Sequence, residues 1–430
     1  MLHNTFCRRA AALVLTLVFA AAAALQGLAV YPMPIQTASE TEAVYLFNAD
    51  TGKTLLTQNA DQPRYVASLT KMMTALLLLE SGKDLNGEVT VPTDLKQEFK
   101  DIQNANGTTM GLRIGETVRR IDLLNALLIT SANDAASVIA WDVGGSLNAF
   151  IQQMNARAAE LGCTSATFTC AHGLYDYGNV ASAEDMAKIA AACAANETFA
   201  QVAGSTTYTL GQTNFHSEQR TISSSNPLMD ASGAYYKDSV KWVKGGFTTL
   251  AGRCAVALAQ KDGHTYGLVI LGSDSNEHLY SECDALFDWA FASFADRPLV
   301  DTQTVVTTVD LTKCRTHPEV ELYAAAPVRG YGHADDKVSY SFDLPESVSA
   351  TVKNGQKLGT ATVYLDGCEV GQVDLVTHQE YVSDFRTDSR STLLLLAALA
   401  VILLVLSVVT LACGGGSRNL NRRRRMKRRR

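Results

Sequence analysis

A serine and a lysine lie three residues apart at the start of an apolar segment, YVASLTKMMTALLLLE. The apolar pattern predicts a helix from Thr70 to Leu79. Residues three apart share a helix face, so the hydroxyl of Ser68 meets the amine of Lys71. Burial lowers the pKa of a lysine, and a neutral lysine beside a serine is a general base beside its nucleophile. The alternative is a chance spacing, with Lys71 as a solvated surface charge.

A polar triplet of Ser131, Ala132 and Asn133 interrupts a second apolar stretch, LLNALLITSANDAASVIA. The flanks predict two buried helices, so the hydroxyl and the amide between them lie close to the core. The alternative is that Asn133 or Asp134 only caps the second helix. The segment from Ser224 to Asn226 repeats the spacing, but in a polar loop where it indicates a turn.

A third segment, VKGGFTT, places Lys244 before two glycines. Gly245 and Gly246 allow a backbone to approach a ligand closely, and Lys244 supplies one cation beside it. The alternative is a simple β-bulge or turn. None of the three segments decides a function alone.

Both ends of the chain carry apolar segments. Arg8 and Arg9 precede an apolar run, which predicts a signal peptide over residues 1–30, with an uncleaved anchor as the alternative. Leu393 to Cys413 is 21 residues without a charge, enough to cross a hydrocarbon core of about 30 Å. The basic tail RRRRMKRRR predicts a cytoplasmic C-terminus and a body outside the cell membrane. Because this tail adjoins the span, no nucleic-acid partner is expected.

The composition is that of a globular protein. The 430 residues are 47% hydrophobic and 19% charged, with a formal net charge of −6, which excludes collagen and extensive disorder. Hairpins at 42–58 and 254–272 enclose helices predicted at 120–128, 134–143, 147–161 and 183–194, and a last helix is predicted at 279–294. This order predicts an α+β body with an antiparallel sheet.

Short alternating strands replace the helices after Asp296 and predict a small β-rich domain. The expected segments are a signal peptide at 1–30, a catalytic domain at 40–296, a β-rich domain at 297–382, a stalk at 383–392, a transmembrane helix at 393–413 and a basic cytoplasmic tail at 414–430.

Seven cysteines lie in the predicted exported body, and only Cys163 and Cys170 are placed so that they could pair. The histidines are scattered without a paired spacing, so no metal and no cofactor are expected.

Together and in this order, the three polar segments resemble the signature of the penicillin-recognising serine acyltransferases: Ser-x-x-Lys, Ser-x-Asn and Lys-Thr-Gly. More narrowly, the chain is similar to the low-molecular-mass penicillin-binding proteins, the D-alanyl-D-alanine carboxypeptidases, in ASLTKMMTALLLLE, TTMGLRIGE, LLITSANDAA, MNARAAELG, AHGLYDYG and VKGGFT. The resemblance covers about residues 42–294, and VKNGQKLGTATVYLDGCEVGQV continues it into the family's β-rich C-terminal domain. It implies a penicillin-recognising transpeptidase-like, or β-lactamase-like, fold with a helical subdomain beside the sheet.

The resemblance also implies a role for each matching residue. Ser68 becomes the nucleophile that attacks the D-Ala-D-Ala amide, Lys71 its base, and Ser131 a proton relay to the leaving amine. Lys244 meets the terminal carboxylate of the substrate, and the oxyanion hole falls on the backbone N–H groups of Ser68 and Phe247. The implied substrate-binding residues are Asn133, Lys244, Gly245, Gly246, Phe247 and Thr248.

Gly245 departs from the family, which usually has a threonine there with its hydroxyl aimed at the substrate carboxylate. Losing one such hydrogen bond costs about 1.5–3 kcal/mol. Thr248 matches another threonine of the family and is expected to compensate in part.

The expected partners are peptidoglycan stem peptides ending in D-Ala-D-Ala, β-lactam antibiotics and the bacterial cytoplasmic membrane. Two alternatives stay open: a serine β-lactamase, and a weakened paralogue that binds peptidoglycan without cutting it. The β-rich domain and the membrane anchor argue against the β-lactamase.

Overall fold

The computed structural model describes residues 31–174, 178–383 and 389–426. The predicted signal peptide lies outside these residues. The chain divides into two compact units, one ending at Ala295 and the other beginning at Asp296.

A five-stranded antiparallel sheet forms the frame of the first unit, with the strand order β2-β1-β11-β10-β9. Both predicted hairpins are confirmed, and the turn of the second contains Asp262 and Gly263, both with positive φ. Strand β9 lies at the edge of the sheet, so no strand of this sheet pairs with its outer side. That side can contact the helical segments that come after β2 in the chain. The strands of this unit are β1 (Ala43–Asn48), β2 (Thr54–Gln58), β3 (Arg64–Tyr65), β4 (Glu88–Thr90), β5 (Thr117–Arg119), β6 (Val180–Ala181), β7 (Thr207–Leu210), β8 (Arg220–Ser223), β9 (Val240–Thr248), β10 (Gly252–Lys261) and β11 (His264–Ser273).

The helices of the first unit form a subdomain beside the sheet. They are α1 (Lys71–Glu80), α2 (Lys96–Asn104), α3 (Arg120–Ile129), α4 (Asn133–Gly144), α5 (Leu147–Glu160), α6 (Ala183–Ala194), α7 (Glu197–Ala203) and α8 (Asn276–Ser293). Helices α1, α3 and α4 pack against one another, while α6 and α8 pack against the sheet. The side chains of α1 are buried along most of its length because it lies inside this cluster.

The second unit is built from strands. They are β12 (Phe294–Val300), which begins at the boundary, β13 (Val305–Thr312), β14 (Glu319–Ala324), β15 (Val328–His333), β16 (Val338–Asp343), β17 (Ser347–Ser349), β18 (Lys357–Leu365) and β19 (Cys368–Val376). Six of them form one sheet in the order β16-β18-β19-β14-β13-β17. Its buried side includes Val320, Leu322, Val363 and Leu375.

The last helix, α9 (Ser389–Met426), contains a stretch of 19 residues, Leu393–Leu411, that is long and apolar enough to cross a membrane. None of this stretch is buried by protein. The predicted fold class is confirmed: an α+β body with an antiparallel sheet and a helical subdomain, then a β-rich domain and an apolar helix.

The pairing considered for Cys163 and Cys170 is not formed, and both thiols are free. The sulfur of Cys163 donates to the backbone oxygen of Asp185 at 3.6 Å, whereas the sulfur of Cys170 accepts from the backbone N–H of Gly173 at 3.2 Å. The two side chains therefore contact different parts of the backbone.

Candidate active site

Ser68 lies in a 3-10 turn, Ala67–Thr70, directly before α1. The turn is tight: Ala67 has a φ of 46°, and the Thr70 hydroxyl donates to the Ala67 carbonyl at 2.8 Å. A non-glycine residue at positive φ is strained, and such strain is common at functional sites. The turn leaves Ser68 half-buried between buried neighbours, so its hydroxyl remains accessible from one side.

Lys71 is the first residue of α1 and is completely buried. Its Nζ lies 2.9 Å from Ser68 Oγ, 2.7 Å from Asn133 Oδ1 and 2.6 Å from the backbone oxygen of His172. Asn133 Oδ1 and the carbonyl of His172 can only accept hydrogen bonds. A neutral amine has two hydrogens and one lone pair. If the hydrogens go to these two acceptors, the lone pair faces the Ser68 hydroxyl.

The charge state of Lys71 follows from its surroundings. Burial lowers its pKa well below the usual value, and the positive charge of Lys244 lowers it further. Both causes favour the neutral amine, whose lone pair can accept the hydrogen bond of the Ser68 hydroxyl. The predicted pairing of a serine hydroxyl with a buried lysine is therefore present in the structure.

The loop between α3 and α4 carries the polar triplet. Ser131 has a φ of 62°, and the Asn133 side chain donates to the carbonyl of Thr108 at 3.0 Å while it accepts from Lys71. Neither Asn133 nor Asp134 is the N-cap residue of α4, which is Ala132, but the Asp134 carboxylate accepts a hydrogen bond from the first-turn N–H of Ala135 at 2.9 Å. The same carboxylate also accepts hydrogen bonds from three consecutive backbone N–H groups at residues 110–112, at 2.9–3.0 Å.

Lys244 lies on β9 and reaches the triplet from the opposite side. Its Nζ donates to Ser131 Oγ at 3.0 Å and to the carbonyl of Gly245 at 2.8 Å. The side chain is 4% exposed, and burial lowers its pKa to about 7. The turn considered for this segment is wrong, because Val240–Thr248 is one continuous strand paired with β10.

The two glycines after Lys244 differ in what surrounds them. A Cβ at Gly246 would lie 2.9 Å from the backbone nitrogen of Ser68, so only glycine lets β9 approach the serine this closely. A Cβ at Gly245 would have ordinary contacts, with Asn226 Nδ2 nearest at 3.6 Å. Gly245 is also not among the residues with positive φ. A Cβ therefore fits at Gly245 without a clash and without backbone strain.

These side chains surround a cleft of about 490 Å³, lined among others by Ser68, Ser131, Asn133, Lys244 and Phe247. Phe247 is 52% exposed, and the guanidinium of Arg253 lies 3.8 Å from the centre of its ring. Gly245 and Gly246 also line the cleft, whereas Thr248 does not.

Thr248 lies at the end of β9, where its hydroxyl accepts a hydrogen bond from the backbone N–H of Ala251 at 3.1 Å. This bond belongs to the turn between β9 and β10. The position therefore does not support the compensation expected from Thr248.

Sequence reasoning gave no role to the turn at residues 170–174. In this turn, the backbone carbonyl of His172 accepts a hydrogen bond from Lys71 Nζ. Nε2 of the His172 ring lies 2.8 Å from Glu98 Oε1. Gly173 has a φ of 73°, and a Cβ there would lie 1.8 Å from the carbonyl oxygen of Ala67. The turn thus holds both the base and the backbone beside the nucleophile. In the sequence, the segment AHGLYDYG carries only a family resemblance, and a glycine after the histidine is the one available signal.

The profile of a family described as D-alanyl-D-alanine carboxypeptidase matches residues 32–275, more than half of the chain. The chain belongs to this family. The resemblance noted in the sequence is confirmed, and the three polar segments that carry it border the cleft. Residues 294–383 match a second profile, the C-terminal domain of penicillin-binding protein 5.

Relatives from several bacteria share most of the chain. D-alanyl-D-alanine carboxypeptidase DacF of Bacillus subtilis is 27% identical over 77% of this chain and 83% of the relative. D-alanyl-D-alanine carboxypeptidase DacA of Escherichia coli is 28% identical over 79% of this chain and 83% of the relative. Among solved structures, penicillin-binding protein 5 of Haemophilus influenzae has a TM-score of 0.58 at 24% identity, covering 81% of this chain and 99% of that one. This likeness supports the fold.

Proposed function

We propose that this protein is a serine D-Ala-D-Ala carboxypeptidase, which removes the terminal D-alanine from peptidoglycan stem pentapeptides through an acyl-enzyme on Ser68. The observation that carries the proposal is the arrangement around the Lys71 amine. Two of its contacts are pure acceptors, and the third is the Ser68 hydroxyl. This places a desolvated base against the nucleophile in a cleft large enough for a peptide end.

In the acylation step, Ser68 Oγ attacks the carbonyl carbon between the two D-alanines, and its proton passes to Lys71 Nζ. The carbonyl oxygen becomes an oxyanion beside the backbone N–H groups of Ser68 and Phe247. The close approach of Gly246 to Ser68 brings these two backbone segments together. When the tetrahedral intermediate collapses, the C–N bond breaks, and the leaving amine of D-alanine takes a proton through Ser131.

Lys244 supplies the charge that selects a chain end. Its ammonium binds the terminal carboxylate of D-alanine, and Ser131 Oγ, 3.0 Å away, lies between this cation and the reacting bond. The positive charge also favours the neutral form of Lys71. In deacylation, water attacks the ester carbonyl, Lys71 takes a proton from the water, and Ser68 is released with its hydroxyl restored.

The test is release of D-alanine from a stem pentapeptide by the purified protein, with Ser68→Ala as the control that must be inactive. A fluorescent penicillin should label the wild-type protein and remain attached. If wild-type protein releases no D-alanine but turns over nitrocefin repeatedly, it is a β-lactamase. Labelling without D-alanine release would instead identify a weakened peptidoglycan-binding paralogue.

Replacing Gly245 by threonine should raise the acylation rate about tenfold, because the new hydroxyl donates a hydrogen bond to the substrate carboxylate. The site has room for the side chain, and the backbone φ is compatible with it. The acylation rate and the melting temperature are measured together. The gain should shrink sharply when the substrate ends in an amide in place of the free acid, because the amide carries no charge.

Gly245→Val is the matched control, since valine has the shape of threonine without the hydroxyl. It should melt like Gly245→Thr and acylate no faster than wild type. An equal gain in both variants, or no gain in a threonine variant that melts normally, would exclude the missing hydroxyl as the cause of a slow site.

We also propose that the catalytic body lies outside the cytoplasmic membrane, anchored by the helix that contains Leu393–Leu411. Its length and composition and the basic residues after it support this topology. Protein truncated after Ser383 should be soluble and keep its activity, whereas the full chain sediments with membranes. Sedimentation of the truncated protein would show that the N-terminal segment also anchors it.

A further inference from the structure

A second cleft of about 690 Å³ adjoins the catalytic cleft. Phe247 lines both clefts, so the two meet at this residue. The second cleft lies under the turn that follows β9 and against the strand that precedes the nucleophile. Its wall includes Thr41, Arg64, Tyr65, Thr249 and Leu250. Leu250 is strongly exposed, as Phe247 is, so apolar surface is open to solvent at this position.

Arg64 is a charged residue of this cleft whose guanidinium is only partly hydrogen-bonded. It lies on β3, four residues before Ser68. One terminal nitrogen contacts Gln62 Oε1 at 3.3 Å, while its Nε is buried and has no hydrogen-bond partner. Among the described residues, the guanidinium makes no ion pair within 4.0 Å. The Nε is closed to solvent, so a carboxylate in the cleft reaches the terminal nitrogens of the guanidinium and accepts charge-assisted bonds from them.

The acid that borders the same cleft is already paired. Asp274 Oδ1 lies 2.6 Å from Nδ1 of His278, and this contact lowers the pKa of Asp274 and raises that of His278. Asp274 is exposed and makes no ion pair with Arg64. Two atoms of the cleft's described lining residues are buried without a hydrogen-bond partner, Arg64 Nε and Ser273 Oγ, and of these two only Arg64 carries a charge.

The order of the catalytic groups gives the substrate a direction. Lys244 receives the terminal carboxylate, and the scissile carbonyl lies beside Ser68 and Phe247. The rest of the stem peptide must therefore leave the site on the side of Phe247 that is remote from Lys244. The second cleft begins there, bordered by Phe247 and by the residues that follow β9.

We propose that the second cleft binds the acyl side of the substrate, an extended stem segment that carries a free carboxylate, and that Arg64 binds this carboxylate. This proposal rests on the proposed function and extends it to the residues on the acyl side of the scissile bond. Phe247 and Leu250 supply apolar contact for the chain of the stem. Arg64 then distinguishes an acidic stem from a stem whose carboxylate is amidated.

The test compares three substrates with wild type and Arg64→Ala. The first is a stem pentapeptide whose γ-linked glutamate has a free α-carboxylate, the second is the same stem with this carboxylate amidated, and the third is N-acetyl-D-Ala-D-Ala. Arg64→Ala should lower kcat/KM for the first substrate about tenfold or more, which is the loss expected for one hydrogen-bonded charge pair. Its kcat/KM for the other two should change less than twofold.

Two controls separate recognition from a structural effect. Lys261→Ala removes an exposed positive charge at the tip of the second hairpin and should leave all three substrates unaffected. Acylation by benzylpenicillin, which has no stem, should be equal in wild type and Arg64→Ala. Arg64→Lys should recover only part of the loss, because an ammonium lacks the planar fork of a guanidinium.

The outcomes distinguish the two proposals. If wild-type protein releases D-alanine from none of the substrates, the proposed function fails. If wild type is active and Arg64→Ala loses activity equally on all three substrates, or on none, the acyl-side role of Arg64 is wrong. An equal loss that includes slower penicillin acylation would mean that Arg64 only positions the Ser68 turn.

Discussion

Lys71→Arg is expected to slow acylation of Ser68 by about 10²–10⁴-fold, the range typical of the loss of a general base. A guanidinium stays protonated at any working pH, so it cannot take the proton of the serine. It also has no lone pair to direct at the Ser68 hydroxyl, which the neutral amine has. The measurement is the rate of labelling by a fluorescent penicillin at neutral pH.

The controls for this variant concern charge and folding. Ser68→Ala gives the background level of labelling. Lys83→Arg makes the same exchange at a partly exposed lysine near Asp142, where no change in the labelling rate is expected. Lys71→Met is smaller and uncharged, and should be as inactive as Lys71→Arg while retaining a cooperative melting transition. Rapid labelling of a folded Lys71→Arg protein would mean that another group accepts the proton.

Gly173→Ala is expected to reduce acylation at least 10²-fold or to prevent folding. The added Cβ would lie 1.8 Å from the backbone oxygen of Ala67 and 2.6 Å from Thr70 Oγ1. This clash is with backbone, which cannot change rotamer as a side chain can. The turn that carries Ser68 must therefore move to relieve it. A displacement of about 1 Å at reacting groups can cost about 10²-fold in rate. Melting temperature and penicillin labelling are measured on the same preparation.

Gly162→Ala is the matched control for this substitution. Gly162 has a φ of 75°, close to the 73° of Gly173, but a Cβ added there would have nothing within 4 Å. Both variants place alanine in the left-handed region, at a cost of roughly 1–2 kcal/mol. The difference between them therefore measures the clash alone. Equal melting and equal labelling in the two variants would show that residues 170–174 do not hold the Ser68 turn.

Local patterns predicted much of the fold. The periodic spacing of apolar residues predicted the ends of α1, α3, α4, α5 and α6 to within about two residues. The Asp262-Gly263 pair correctly located the turn of the second hairpin. Helix α2 was not predicted, because its sequence KQEFKDIQN is mostly charged or polar and only Ile102 is buried. Its apolar residues Phe99 and Ile102 do share one face, so the periodic pattern is present, but the segment is too polar overall to stand out as a core helix.

The side chains of the candidate site, which the structure brings together, could be selected from the sequence because their residue types and spacing are unusual. The backbone groups that hold these side chains in place could not be predicted from the sequence. The carbonyls of His172 and Thr108, which bind Lys71 and Asn133, are backbone atoms that every residue has. Their position depends on how distant segments pack, and sequence spacing does not record it. The Asp134 carboxylate is a similar case, since three of its four backbone donors lie more than 20 residues earlier in the chain.

With Lys244 as the proposed site of the substrate carboxylate, its burial couples substrate binding to proton uptake. Burial lowers the pKa of Lys244 to about 7 in the empty cleft, so part of the protein holds an uncharged Lys244 near neutral pH. An arriving carboxylate favours the ammonium and raises this pKa, so the complex holds more protons than its separate parts. Affinity for the chain end must then weaken as the pH rises above about 7, because more of the empty protein has to take up a proton before it can bind. An acidic wall compartment would thus favour capture of the carboxylate by Lys244, while the same acidity opposes the neutral Lys71 on which the chemistry depends.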